Sequence, residues 1–92
     1  MVKIKFYSLI RMFLGINEVE IEAVSVSIYE LILKVEKQIE KKFLDQLIDA
    51  EMQILPGTMI LINGRNIYHL DKIDSIVQDG DEICIFPPGG GG

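Results

Sequence analysis

The sequence predicts an α+β fold in which a mixed sheet is covered on one face by one main helix. Three observations carry this. Two short runs near the start alternate apolar with charged residues, and their charges are opposite, as expected of paired strands with one buried face. A single long segment in the first half places apolar residues at helical spacing behind a capping sequence. The second half is broken by Pro56-Gly57, Asn63-Gly64 and Asp79-Gly80, turn signals that leave room only for short strands.

In the first run Val2, Ile4 and Phe6 alternate with Lys3, Lys5 and Tyr7; in the second Val19, Ile21 and Ala23 alternate with Glu18, Glu20 and Glu22. Paired antiparallel, the lysines and glutamates face one another on the wet side, each pair contributing about 0.2–1 kcal/mol. The connection SLIRMFLGIN is too long for a tight hairpin and predicts a helical turn closed by Gly15. In SIYELILKVEKQIEKKF, Ser27 and Glu30 form a capping box. Ile28, Leu31, Ile32, Val35, Ile39 and Phe43 then recur along one stripe, which predicts an amphipathic helix of about four turns.

Residues 44–55 carry Leu47, Ile48, Met52 and Leu55 at mixed spacing, an ambiguous pattern compatible with a short second helix. Pro56-Gly57 fits the centre of a type II turn. MILI at 59–62 reads as a strand buried on both faces, or as a strand edge under the helix. Asn63-Gly64 is a hairpin turn, and EICIF at 82–86 is the last strand. Strand, strand, helix, strand, short strand, strand, with one covering helix, is the order of a β-grasp (ubiquitin-like) roll. The right-handed crossover rule places the strand after the helix parallel to its sheet neighbour. The predicted organisation is a β-grasp domain over residues 1–86, then a flexible Pro-Pro-Gly tail over 87–92.

Composition narrows the function. Of 92 residues 49% are apolar, enough for one core, and no apolar run of about 18 residues is present to predict a membrane span. The net charge of −5 argues against a nucleic-acid binder, which needs clustered Lys and Arg. The single cysteine, Cys84, fits a reducing, cytoplasmic setting. Between Ile83 and Ile85 it reads as a small buried hydrophobe. His69 is the lone histidine and has no serine or cysteine placed to partner it, so it reads as solvated. Asp79, Asp81 and Glu82 lack the ligand spacing of a calcium loop and read as a turn. No glycine-rich phosphate loop precedes a helix.

That leaves PPGGGG, residues 87–92. Consecutive prolines favour an extended polyproline II path that holds the tail away from the body. Taken as the chain terminus, Gly92 supplies a backbone carboxylate, which ATP can convert into a reactive acyl-adenylate. A site closing around such a carboxylate excludes side chains, and glycine alone fits a narrow channel.

KIKFYSLIRMFLG, LINGRNIYHLDKID and VQDGDEICIFPPGGGG together resemble the small subunit of molybdopterin synthase, a family of ubiquitin-like sulfur carriers. The resemblance spans nearly the whole chain and is weakest at residues 44–56. It implies that an ATP-using, E1-like adenylyltransferase activates Gly92 and that sulfur is installed there as a thiocarboxylate. The tail would then enter the large synthase subunit and give its sulfur to a cyclic pyranopterin precursor in molybdenum or tungsten cofactor biosynthesis. It implies no tightly bound cofactor, ATP being used by the activating partner. Gly91 and Gly92 match the family's terminal pair, and Phe86, Pro87 and Pro88 the approach to it. The family's apolar partner-facing patch falls by position on Tyr7, Phe86 and Ile67. Phe-Pro-Pro favours this family over the thiamine-pathway sulfur carrier, whose tail usually lacks the prolines. A ubiquitin-like modifier joined through Gly92 to lysines shares the chemistry as far as the adenylate, and a plain interaction module would leave the tail idle. One departure stands out: Gly89 and Gly90 replace the usual valine or alanine side chain, which implies weaker anchoring of the tail in the partner's channel.

Overall fold

The computed structural model describes residues 1–89. The elements run β1 (Val2–Phe6), α1 (Ser8–Leu14), β2 (Glu18–Ile21), β3 (Val26–Ser27), α2 (Ile28–Ile39), β4 (Met59–Ile62), β5 (Arg65–Asn66), β6 (Ile76–Val77) and β7 (Glu82–Phe86). Five strands form a mixed sheet in the order β2-β1-β7-β4-β5, and β3 pairs with β6 in a separate two-stranded ribbon. This is the β-grasp architecture, with α2 laid across one sheet face.

The first hairpin follows its charge pattern. β1 and β2 pair antiparallel with Lys3 opposite Glu20 and Lys5 opposite Glu18. The ion pairs themselves are diagonal: Lys3 Nζ lies 4.0 Å from Glu18, and Lys5 Nζ lies 3.5 Å from Glu82 on β7. The link between the strands is α1, ended by Gly15 at φ +74, as the sequence predicts. At the start of α2 the Ser27 hydroxyl accepts the Glu30 N–H at 3.1 Å, and Glu30 accepts the Ser27 N–H at 3.3 Å. Both halves of the capping box are made.

Three expectations need correction. The helix has 12 residues and stops at Ile39, short of the predicted four turns, because Glu40 turns into the left-handed region at φ +58. Glu36 then accepts the N–H groups of Phe43 and Leu44 at 2.7 and 2.8 Å, which folds the chain back. Phe43 therefore reaches the core from beyond the helix, edge-on to Phe6 with centroids 5.6 Å apart. Second, MILI is buried on one face only: Ile60 and Ile62 point inward, while Met59 is exposed. Third, β4 is antiparallel to both its neighbours, β7 and β5, and the parallel pair is β1 with β7. The crossover rule acts on parallel neighbours joined through a helix. The strands flanking α2 in the large sheet, β2 and β4, are not neighbours.

Residues 44–55 form a 3-10 turn at Leu44–Gln46 and an isolated bridge between Ile48 and Ile54. The Asp49 carboxylate closes that bridge by accepting the N–H groups of Glu51 and Gln53 at 2.8 and 3.0 Å. The core lies between α2 and the inner sheet face. Val2, Ile4, Phe6, Ile60, Ile62, Ile83 and Ile85 meet Ile28, Leu31, Ile32 and Val35 there, all buried. Among the described residues no helix is long and apolar enough to cross a membrane.

Candidate functional site

Alternation along β7 decides what lies outside. With Ile83 and Ile85 turned inward, Glu82, Cys84 and Phe86 face outward. The parallel register sets Phe6 beside Ile85, and the Tyr7 N–H donates to the Ile85 carbonyl at 3.1 Å. Tyr7 is thereby held next to Phe86, and their rings stack with centroids 4.4 Å apart and planes 8° from parallel. On the other side of β7, Met59 is paired with Phe86. Met59 on β4, Phe86 on β7 and Tyr7 just after β1 thus make an apolar strip at the end of β7 from which the tail departs. The charged pairs of Lys3, Lys5, Glu18 and Glu82 lie on the same sheet toward its opposite end.

Cys84 is half-buried on this outer face, a correction to its expected place in the core. Strand parity is the reason: its neighbours Ile83 and Ile85 take the inner face, so Cys84 cannot. Its sulfur lies 3.9 Å from the Tyr7 hydroxyl. That contact, with desolvation, raises the Tyr7 pKa above its ordinary value.

Of the residues expected to face a partner, Tyr7 and Phe86 come together, and Pro88, near Gly57, is half-buried. Ile67 does not. It is only 1% exposed, because the Asn66 side chain accepts the Tyr68 N–H and starts a 3-10 turn that rolls Ile67 into the core. Pro87 is buried as well, so it anchors the tail root and is not a contact surface. The prolines do not carry the chain away from the body, since Pro88 and Gly89 form a turn lying against Gly57. Gly91 and Gly92 lie outside the described residues.

Met59 is the member of the strip that sequence reasoning missed. The signal was available: period-2 alternation through MILI puts Met59 opposite in sense to Ile60 and Ile62. A groove of about 700 Å³ lies elsewhere, lined by Leu33, Leu44, Ile48 and Leu55 among others, and takes in no residue of the predicted site. His69 is exposed. Among the described residues no three His, Cys, Asp or Glu side chains converge as metal ligands would. What this geometry can do is hold an apolar surface at the root of a tail.

The fold and this arrangement define a ubiquitin-like β-grasp protein that presents its C-terminal segment beside an apolar strip. The ThiS family matches residues 4–92, and the chain belongs to that family. It is 31% identical to an Archaeoglobus fulgidus protein assigned as a sulfur carrier, over 83% of this chain and 85% of that one. Among solved structures, a Pyrococcus furiosus protein assigned as subunit 1 of a molybdopterin converting factor is 29% identical. It superposes with a TM-score of 0.67, with 95% of each chain covered. The small archaeal modifier protein 1 of Methanosarcina acetivorans is 28% identical, with a TM-score of 0.73 over 99% of this chain and 95% of that one.

Proposed function

We propose that this protein is the sulfur-carrying small subunit of a molybdopterin synthase, with Gly92 as the terminal residue that bears the sulfur. The observation that carries the reading is the run Phe86-Pro87-Pro88, which leaves the sheet through the Tyr7–Phe86 stack and leads toward Gly91-Gly92. Likeness to the Pyrococcus furiosus protein supports it. Activation begins when a carboxylate oxygen of Gly92 attacks the α-phosphorus of ATP on an E1-like adenylyltransferase. The bond to pyrophosphate breaks, and pyrophosphate leaves. Hydrosulfide, or a sulfur donor equivalent to it, then attacks the acyl carbon; AMP departs with the bonding pair, and the S–H proton goes to solvent. The product is a thiocarboxylate.

In this reading the acids and bases for these steps come from the partner enzymes. The chain's own part is recognition: the strip of Tyr7, Phe86 and Met59 docks on the large synthase subunit while the glycines enter its active site. There the sulfur passes to the cyclic pyranopterin precursor, and hydrolysis returns the Gly92 carboxylate. Because ATP is consumed on the activating enzyme, the carrier needs no resident cofactor.

Likeness to the Methanosarcina acetivorans modifier supports a second reading, in which a lysine amine attacks the activated Gly92 carbonyl to form an isopeptide bond. One experiment separates the two. The protein is incubated with its adenylyltransferase, ATP and sulfide, and followed by intact mass. The carrier reading expects exchange of one C-terminal oxygen for sulfur, and sulfur transfer when the large subunit and precursor are added. Isopeptide-linked ladders without a thiocarboxylate would contradict it.

A further inference from the structure

The described chain continues past β7 for three residues, Pro87 to Gly89. Phe86 leads in under its stack with Tyr7, Pro87 is buried, and Pro88-Gly89 makes a turn with Gly89 at φ +69. Against that turn stands a second one, Leu55–Thr58, closed by the Thr58 N–H on the Leu55 carbonyl at 3.0 Å. Gly57 occupies its left-handed position at φ +90. A β-carbon on Gly57 would lie 3.5 Å from Pro88 Cα, 3.6 Å from the Gly89 nitrogen and 3.6 Å from Pro88 Cβ.

Those distances separate Gly57 from the other turn glycines. Gly15, Gly64 and Gly80 also have positive φ, but a β-carbon on any of them meets nothing within 4 Å. There glycine serves the turn alone. At Gly57 it serves the turn and also faces the tail root across a gap that a methyl group would fill. A methyl group would just reach ordinary contact. A longer side chain branching toward Pro88 would push the root off.

We propose that Gly57 is a positioning residue: its turn is a seat that orders Pro88 and Gly89 and so sets the direction in which the tail presents its carboxylate. This rests on the carrier reading given above. Every backbone residue fixed in one conformation costs free energy on ordering. With the root seated, Pro88 and Gly89 are already fixed before the activating enzyme engages the tail. Reaction rates also fall steeply when the reacting atoms are misplaced by as little as about 1 Å.

The test compares Gly57→Asn with Gly80→Asn, because both sites have φ +90 and only the first touches the tail. Asparagine tolerates the left-handed region, so the backbone strain is matched. Amide relaxation should give Gly89 an order parameter of about 0.8 in the wild type and in Gly80→Asn, falling below about 0.6 in Gly57→Asn. Adenylation of the C-terminus, read by pyrophosphate release, should lose roughly tenfold or more in kcat/KM with Gly57→Asn. Gly80→Asn should stay within about twofold of wild type. Gly57→Ala, whose methyl fits beside Pro88 but is strained at φ +90, should lose no more than Gly80→Ala, which carries the same strain away from the tail. If Gly57→Asn fails to fold, Pro88→Gly empties the seat from the other side and should give the same two changes. An unchanged Gly89 order parameter in Gly57→Asn, or equal losses of adenylation at positions 57 and 80, would overturn the proposal. A wild type with Gly89 ordered but never adenylated contradicts the carrier reading and the positioning role with it, while the relaxation data still judge the seat.

Discussion

The two faces of β7 share five residues and answer to different demands. Inward, Ile83 and Ile85 sit among Ile4, Phe6, Ile60 and Ile62 beneath α2, and all are buried. Outward, Phe86 stacks on Tyr7 beside Met59, and both rings remain half-buried. The inner face is redundant: several elements fix each side chain, so the loss of one leaves a cavity that the rest cannot fill. The outer strip is held by register, by the Tyr7 N–H on the Ile85 carbonyl and by the Tyr7–Phe86 stack. Half-buried side chains contribute less to the fold than the core does. Strand alternation lets a single strand work for stability on one side and for presentation on the other.

The sharpest way to break that contrast is Phe6→Ala. Phe6 is buried against Phe43, and truncation should cost about 3–5 kcal/mol, a large part of the stability usual for a domain of this size. Denaturant unfolding measures it. A loss below about 1 kcal/mol would mean that the inner face is not the core.

Phe86→Ala makes the opposite cut. Here the fold should survive, while affinity for the large synthase subunit drops by about 2 kcal/mol or more, as for an anchoring aromatic. Titration calorimetry with the purified partner reads the change. Unaltered binding by a folded variant would remove the strip from the interface.

The smallest effect lies at the far end of the sheet, where the Met1 amino group pairs with Asp79. Their hydrogen bond lowers the Asp79 pKa and raises that of the amino group. Asp79 therefore contributes above the ordinary carboxylate value of about 4, and loses its contribution as pH falls through its lowered pKa. The amino group contributes fully below about 8, and loses its contribution as pH rises through its raised pKa. Both partners are exposed, so the gain is slight. The melting-temperature difference between wild type and Asp79→Asn should be constant from about pH 5 to 7 and shrink on either side. A difference that grows below pH 4 would contradict the pairing.

How much of this was legible beforehand follows the same division. The hairpin charges, the capping box, the stripe of α2 and the Asn63-Gly64 turn are local signals, each readable within a few residues, and they predict the β-grasp roll. Tyr7 and Phe86 were legible because strand parity fixes their face. Ile67 was misplaced because its direction depends on a cap made by Asn66, a side-chain hydrogen bond that periodicity does not encode. Pro88, Gly89 and Gly57 meet across a long stretch of chain, so nothing local announces that the tail root is seated. The early end of α2 was hidden for a similar reason, since Glu36 reaches forward to the amides of Phe43 and Leu44.

The central claim is that folding and chemistry are separable, the first resting on the inner face and the second on the tail. Deleting Gly91-Gly92 tests it most directly, with stability and thiocarboxylate formation measured on the same preparation. The account predicts an unfolding free energy within about 0.5 kcal/mol of the full-length protein, because no side chain is lost. It also predicts that the truncated chain never exchanges oxygen for sulfur when given the adenylyltransferase, ATP and sulfide, whereas the full-length chain does. A truncated protein that still supports cofactor synthesis, or a full-length one that never gains sulfur, would contradict it.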